Sequence, residues 1–267
     1  MTIRLGKWRI HRLFDRDAPV EVSERDGVRS LHLGTSTIQS SMKLNDPVEL
    51  VLSYTRTMMG FLLFDPQPRH VVMIGLGGGS LAKFIYHRLP DARLTAVEAN
   101  PRVISVARSH FHVPPDDARL QVVLAPGEQW VAGRSEPCDA LLVDGYDGTT
   151  QAEGLSTEDF YMAARRCLEP EGILVVNLWS SDKRFEAYLQ RIERCFEACV
   201  CLPAERRGNV VAFAFCRPPR TFRWSQLIPR AKGLQARLGL EFPRMVEALK
   251  ELNPHDAKGL IFGRSGA

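Results

Sequence analysis

The chain lacks several things that would each have fixed its class early. No stretch of its 267 residues is apolar long enough to span a bilayer, and no charged-then-apolar leader pattern opens it. The six cysteines, at 138, 167, 195, 199, 201 and 216, contain no CxxC pair, and no paired histidines lie near them. Zinc ligation is therefore not expected, and neither is a disulfide framework. Cys138 and Cys167, beside apolar runs, read as small buried hydrophobes. Charge of one sign is also scarce: 35 Lys and Arg against 31 Asp and Glu leave a formal net charge of +4. With no basic stripe, that balance does not call for nucleic acid. Repeats and low-complexity tracts are missing too. A chain with 45% hydrophobic and 25% charged residues is expected to be a globular protein with reduced thiols in the cytoplasm, with neither membrane nor nucleic acid as partner.

What is present is glycine, concentrated in one place. Val71 to Ile74 is a short apolar run of the kind that fits a fully buried parallel strand, and it ends at Gly75, Gly77, Gly78 and Gly79. Glycines there permit a tight strand-to-helix turn and let a ligand approach the backbone, with the amides of the next helix facing it. Ser80 to Leu89 reads as that helix, and Leu94 to Val97 as the next buried strand, with Glu98 at its carboxyl end. An acid so placed accepts hydrogen bonds from a ribose diol in doubly wound sheets. The pattern suits NAD, FAD or an adenosyl sulfonium equally well.

Around this nucleus the chain alternates. Val20 to Gln39 reads as an antiparallel hairpin turning at Asp26-Gly27. Asp46-Pro47 then opens a helix expected over Val48 to Phe64. Further helices are expected over Pro101–Phe111, Glu128–Val131, Ser156–Leu168 and Phe185–Phe196. Strands are expected over Leu120–Leu124, Asp139–Val143, Gly172–Leu178, Cys199–Pro203 and Asn209–Cys216. Such alternation predicts an α/β fold: a Rossmann-like, doubly wound, mostly parallel sheet with a small N-terminal antiparallel β-unit. The expected division is 1–45 for the β-unit, 46–219 for the nucleotide-binding domain and 220–267 for a helical tail.

In such a sheet, ligands bind beyond the carboxyl ends of the strands, so the glycine turn, Glu98, Gly127 and Asp144 should converge. Asp144 ends an apolar strand and Asp147 follows three residues later. Two carboxylates at one crevice can hold a cationic amine or take a proton from it.

The run from Cys138 through Asp144-Gly-Tyr-Asp147 to Phe160-Tyr161 resembles the strand, Asp-x-x-Asp loop and Phe-Tyr helix of the spermidine synthases, the polyamine aminopropyltransferases. The segments at 74–79, Glu98, 168–174 and Gln39-Ser40 are also similar to that family. The resemblance covers roughly residues 20 to 215. It implies Asp144 as the catalytic base, Gln39, Tyr54 and Asp147 as substrate contacts, and Gly75, Gly77, Gly78, Gly79, Glu98 and Gly127 around the nucleotide. It further implies decarboxylated S-adenosylmethionine as co-substrate, a small amine as acceptor, no metal and a homodimer. The chain departs from the family pattern at Gly78 and Pro126, where aspartates are expected, at Ser80 and Ser53-Tyr54, and at 207–213, where an aromatic segment is expected. Losing the acid at Gly78 leaves open an S-adenosylmethionine methyltransferase, or a non-catalytic relative that binds the nucleotide or polyamine.

Overall fold

The computed structural model describes residues 9–12, 19–134, 136–147, 150–204, 208–218 and 222–262; the side chains of 9–12, 147, 150 and 151 lie outside that description. A four-stranded antiparallel sheet comes first, β1 (Arg9–Arg12), β2 (Val20–Arg25), β3 (Val28–Leu33) and β4 (Ile38–Lys43), in sequential order. It exceeds the expected hairpin by a strand on each side, and Gln39 lies within β4 rather than at the unit's end. Asp26 and Gly27, both at positive φ, make the predicted turn between β2 and β3.

The expected helix from Val48 to Phe64 is mostly not α-helical. Only α1 (Ser53–Met58) is, followed by a 3-10 turn over Met59–Leu63. Two side chains explain the late start. Asp46 Oδ1 accepts from the backbone N–H groups of Val48 and Glu49, both at 3.2 Å, and so holds a turn. The Arg56 guanidinium donates to the carbonyls of Leu50 (3.0 Å) and Val51 (3.2 Å), taking acceptors that a helix would use. Gly60 tightens the other end, because a Cβ there would lie 3.1 Å from Phe213 and 3.3 Å from Leu202.

The main sheet follows as β5 (His70–Ile74), α2 (Ser80–Arg88), β6 (Arg93–Glu98), α3 (Pro101–Phe111), β7 (Leu120–Leu124), α4 (Gly127–Ala132) and β8 (Cys138–Val143). Two short strands, β9 (Tyr146–Asp147) and β10 (Thr150–Gln151), pair with each other. The chain continues through α5 (Glu158–Arg166), β11 (Leu168–Trp179), α6 (Phe185–Cys195), β12 (Ala198–Pro203) and β13 (Asn209–Phe215). Helix α5 begins later than expected because Thr157, not Ser156, is its N-cap, accepting from the N–H of Phe160 at 3.1 Å.

The seven strands lie in the order β12-β13-β11-β8-β5-β6-β7. Pairings from β11 across to β7 are parallel, while β13 runs antiparallel to both β11 and β12. The strand order reverses between β5 and β8. There the two connections leave in opposite directions and open a crevice at the carboxyl ends.

Both faces of the sheet are covered. One carries α4, α5 and α6, with Leu141, Val143, Leu174, Val176, Tyr161 and Ile192 in a continuous core. The other carries α1, α2 and the helices of the C-terminal stretch, α7 (Trp224–Leu238) and α8 (Phe242–Leu252). Phe222, Leu227, Phe242 and Leu249 share one core with Met58, Phe64, Phe213 and Phe215. Phe64 packs edge-on to Phe215 and Phe222, with ring centroids 5.1 and 4.9 Å apart. Arg230 also donates to the Leu63 carbonyl at 2.6 Å.

The N-terminal sheet packs on α3 through Val20, Val22, Leu31, Met42, Val103, Val106 and Phe111, all buried. That contact places β4 beside the crevice. No helix among the described residues is long and apolar enough to cross a membrane.

Because α8 completes the core of the sheet domain, Phe242→Ala should destabilise the whole molecule by about 3–5 kcal/mol. Urea unfolding is expected to remain one cooperative transition with its midpoint moved down. A main transition left in place would mean that the C-terminal helices form a separate unit.

Candidate active site

The crevice is built on a backbone crossing. Gly75 has φ +92°, and a Cβ on it would lie 2.3 Å from the Asp144 carbonyl oxygen. Only glycine lets the end of β5 pass this closely to the end of β8. Two strand-end bonds fix the crossing: the Asp144 N–H donates to the Ile74 carbonyl (2.9 Å), and the Gly75 N–H donates to that of Val97 (2.8 Å).

Around it lies a cleft of about 440 Å³, within the size range of small-molecule pockets. Gln39, Tyr54, Gly75, Gly77, Glu98, Gly127 and Asp144 all line it, so the structure brings together seven of the ten residues selected from the sequence. Gly78 and Gly79 stand behind the turn. A Cβ at Gly78 would meet Ser40 Oγ at 2.8 Å and Phe111 Cδ1 at 2.9 Å, and Gly79 (φ +70°) packs against Val113. The backbone of Asp147 lies in β9; its side chain is outside the described residues.

The departures at 78 and 80 thus have a structural companion. Ser40 on β4 fills the space beside Gly78 and its hydroxyl hydrogen-bonds to Ser80 Oγ at 3.1 Å; the Ser80 hydroxyl is also 3.3 Å from the Ser41 carbonyl, to which it donates. An acidic side chain at 78 would displace this serine contact between the N-terminal sheet and the glycine turn.

Glu98 is held by the loops it joins. Its Oε2 accepts from the Leu76 N–H and its Oε1 from the Asn100 N–H, each at 2.9 Å. Each oxygen keeps a lone pair free, and together they form a rigid, two-pronged acceptor suited to a vicinal diol. Pro126, also lining the cleft, caps α4 without offering an N–H.

Asp144 sits where this cleft meets a second hollow of about 350 Å³. Gln39, Tyr54, Asp144 and Tyr146 line both. The second hollow is completed by Ile38, Arg56, Asn177, Trp179 and Asn209. Its aromatic wall is Trp179 at the end of β11, stacked on Tyr146 with centroids 5.0 Å apart and planes 23° from parallel. The segment 207–213, where an aromatic wall is expected by resemblance, instead contributes Asn209 to the hollow; Arg207 lies outside the described residues.

Burial raises the Asp144 carboxyl above the usual range, opposed by hydrogen bonds from Asn177 and Tyr54. The Asn177 amide donates to Asp144 Oδ1 at 2.8 Å. Tyr54 is pushed well above its ordinary value, first by burial and then by the Asp144 charge, so it stays an O–H donor. Its oxygen also lies 3.2 Å from the Gln39 carbonyl. A phenol has one proton, and ionised Asp144 is the stronger acceptor of the two.

Sequence reasoning missed Asn177, Trp179 and Asn209. Their one signal was a polar residue, Asn177, directly after the apolar run Ile173–Val176. Of the cysteines, Cys138 and Cys167 are buried and their thiols donate to the carbonyls of Cys167 (3.3 Å) and Val131 (3.1 Å). Among the described residues, no three His, Cys, Asp or Glu side chains gather as a metal site.

The chain is similar to known proteins. A polyamine aminopropyltransferase from Chromobacterium violaceum is 47% identical over 243 residues, covering 91% of this chain and 93% of that protein. Among solved structures, a probable spermidine synthase from Corynebacterium glutamicum is similar with a TM-score of 0.70 at 15% identity, over 86% of this chain and 88% of the other. A spermidine synthase in complex with the transition state analogue AdoDATO is similar with a TM-score of 0.63 at 18% identity, over 86% and 87%. At such identities the structural likeness speaks for the fold alone. The sequence model of the spermine/spermidine synthase domain matches residues 51–217, and on that match and the close relative the chain belongs to the spermine/spermidine synthase family.

Proposed function

We propose that the protein transfers an aminopropyl group from decarboxylated S-adenosylmethionine to putrescine or a related small amine, with Asp144 as the base. The observation that carries this reading is the meeting of two hollows at one partly desolvated carboxylate. A nucleoside fits the hollow bearing Gly75, Gly77 and Glu98, and an amine fits the one bearing Trp179, Tyr146 and two amides.

The step balances simply. The amine nitrogen attacks the methylene carbon beside the sulfonium, a C–N bond forms, and the C–S bond breaks with its electron pair returning to sulfur. Asp144 first takes a proton from the ammonium; after attack the products are neutral methylthioadenosine and a secondary ammonium, and the proton held by Asp144 passes to solvent.

An alkylammonium, with a pKa of about 10.4, cannot attack until it loses a proton, and an ordinary aspartate near about 3.9 is a poor match for that task. Raising the Asp144 carboxyl narrows the gap and makes the carboxylate a better acceptor. Tyr54 and Asn177 keep it aimed, and Glu98 fixes the ribose so that the methylene faces the amine side. Gly78 favours a second reading, methyl transfer from intact S-adenosylmethionine, because it brings no side-chain acid to select an aminopropyl ammonium. The released nucleotide separates the two, methylthioadenosine against S-adenosylhomocysteine.

Glu98→Gln should weaken methylthioadenosine binding about tenfold to a hundredfold, the worth of a charged hydrogen bond, as read by calorimetry. Unchanged affinity would remove Glu98 from the ribose site. Asp144→Asn should abolish methylthioadenosine release while nucleotide affinity holds; full activity would refute the base assignment.

The same substitution has a stability consequence with a definite sign. Because the native carboxyl is raised, the folded state holds its proton to higher pH than the unfolded chain, and stability falls as pH climbs through that window. Above the raised value ionised Asp144 is a net cost, so Asp144→Asn should match or exceed the parent Tm there. The difference should vanish below the ordinary carboxylate pKa. The wild-type rate, conversely, should drop as pH falls through the raised value. A wild-type acid limb at the ordinary carboxylate position would contradict this account.

A further inference from the structure

We propose that Asn177 and Asn209 form a directed amide relay that aims and tunes the Asp144 carboxylate, with Asn209 as its end at the amine hollow. The relay rests on the reading of Asp144 as the base, and both asparagines are positioning residues.

The direction follows from what each group can offer. An ionised carboxylate only accepts, so the Asn177 amide must turn its NH2 toward Asp144, at 2.8 Å. Its Oδ1 then points the other way, where Asn209 Nδ2 donates to it at 2.9 Å. Asn209 is thereby fixed as well, with its NH2 committed inward and its carbonyl oxygen left as the acceptor it can offer to the hollow it lines. That acceptor suits a protonated amine.

The placement is not incidental to the sheet. β11 and β13 pair Asn177 with Val211 and Trp179 with Asn209, so the two amides meet diagonally across neighbouring strands. Asn177 is only 2% exposed in a strand otherwise apolar from Ile173 to Leu178, where an unbonded amide would be costly. Its main-chain carbonyl accepts from the Tyr146 hydroxyl at 2.9 Å, and Tyr146 is itself braced by Trp179. Aligned amides polarise one another, so the far end of the relay bears on the charge at the near end.

Other groups face the same carboxylate and set the background for any titration. Tyr54 and Tyr146 flank it, both raised by burial and both protonated near neutrality. Arg56 lines the amine hollow but is bound to the Leu50 and Val51 carbonyls and paired with Glu241 at 3.5 Å. Glu98 lies across the nucleotide cleft, held by two backbone N–H groups.

Two substitutions at Asn209 separate a relay from a merely structural residue. Asn209→Ala removes the donor and frees the Asn177 amide to rotate. Asn209→Asp reverses the direction: a carboxylate at 209 takes the Asn177 NH2 and turns its carbonyl oxygen on Asp144. The experiment measures methylthioadenosine release against pH at saturating decarboxylated S-adenosylmethionine with putrescine, and methylthioadenosine binding by calorimetry. The Asp144 carboxyl is titrated in parallel by 13C NMR of aspartate-labelled protein, assigned with Asp144→Asn.

The expected order of kcat at neutral pH is wild type, then Asn209→Ala lower by about threefold to tenfold, a neutral hydrogen bond's worth, then Asn209→Asp lower by about a hundredfold, because the charged bond from Asn177 to Asp144 is lost as well. Nucleotide affinity should stay within about twofold, as it is set across the other cleft. The acid limb and the Asp144 NMR midpoint should both move up, further for Asp than for Ala. Asn209→Asp no worse than Asn209→Ala, an unmoved midpoint, or nucleotide affinity lost in step with kcat would each overturn the relay. A wild-type protein that releases no methylthioadenosine would instead defeat the aminopropyl reading, and the NMR midpoints would still judge the relay.

Discussion

The close passage of Gly75 beneath the carbonyl of Asp144 is the constraint on which the site depends. With no room for even one added carbon, β5 and β8 end side by side, and their two loops depart in opposite directions from a common point. Everything functional is measured from there. Glu98 reaches back to the Leu76 amide on one side, while Asp144 stands between the cleft at the glycine turn and the hollow walled by Trp179 on the other. The crossing thus places a single carboxylate where two hollows meet at the carboxyl ends of the strands.

Electrostatics at that carboxylate are a compromise. Desolvation raises its proton affinity, and Asn177 and Tyr54 pull it back. For the base proposed here neither extreme would serve: a fully solvated aspartate is too weak a base, and a fully desolvated one would keep its proton at neutral pH. The hydrogen-bond donors therefore tune as well as orient. The cost of holding the charge is carried by the two large cores on either face of the sheet, a familiar tension between stability and function.

The N-terminal sheet is more than an appendage to this arrangement. Packed on α3 through its apolar face, it delivers Gln39 and Ser40 to the cleft and occupies the space beside Gly78. Where related proteins are expected to carry an acid in the glycine turn, this chain has a compact serine contact between two layers. The change at 78, the serine at 80 and the serine at 40 form one spatial unit, although forty residues of sequence separate its ends.

Much of the architecture was legible in the sequence because short-range patterns encode it. Apolar runs such as Val71–Ile74 and Ile173–Val176 admit little but a buried strand, the Asp26-Gly27 pair demands a turn, and a glycine cluster followed by a strand-end acid marks the cleft that both line. The errors fell where particular side-chain contacts outweigh the apolar period: the segment from Val48 to Phe64 has helical spacing, yet the nearby Asp46 and Arg56 take its backbone partners and Phe213, distant in sequence, crowds Gly60. In the same way, the sequence by itself determined which residues stand at the strand ends, since hydrophobic period and turn chemistry are local. Only the tertiary structure decided what surrounds Asp144, because Asn177, Trp179 and Asn209 come from strands 30 to 65 residues further on, and no local pattern carries the register that aligns them.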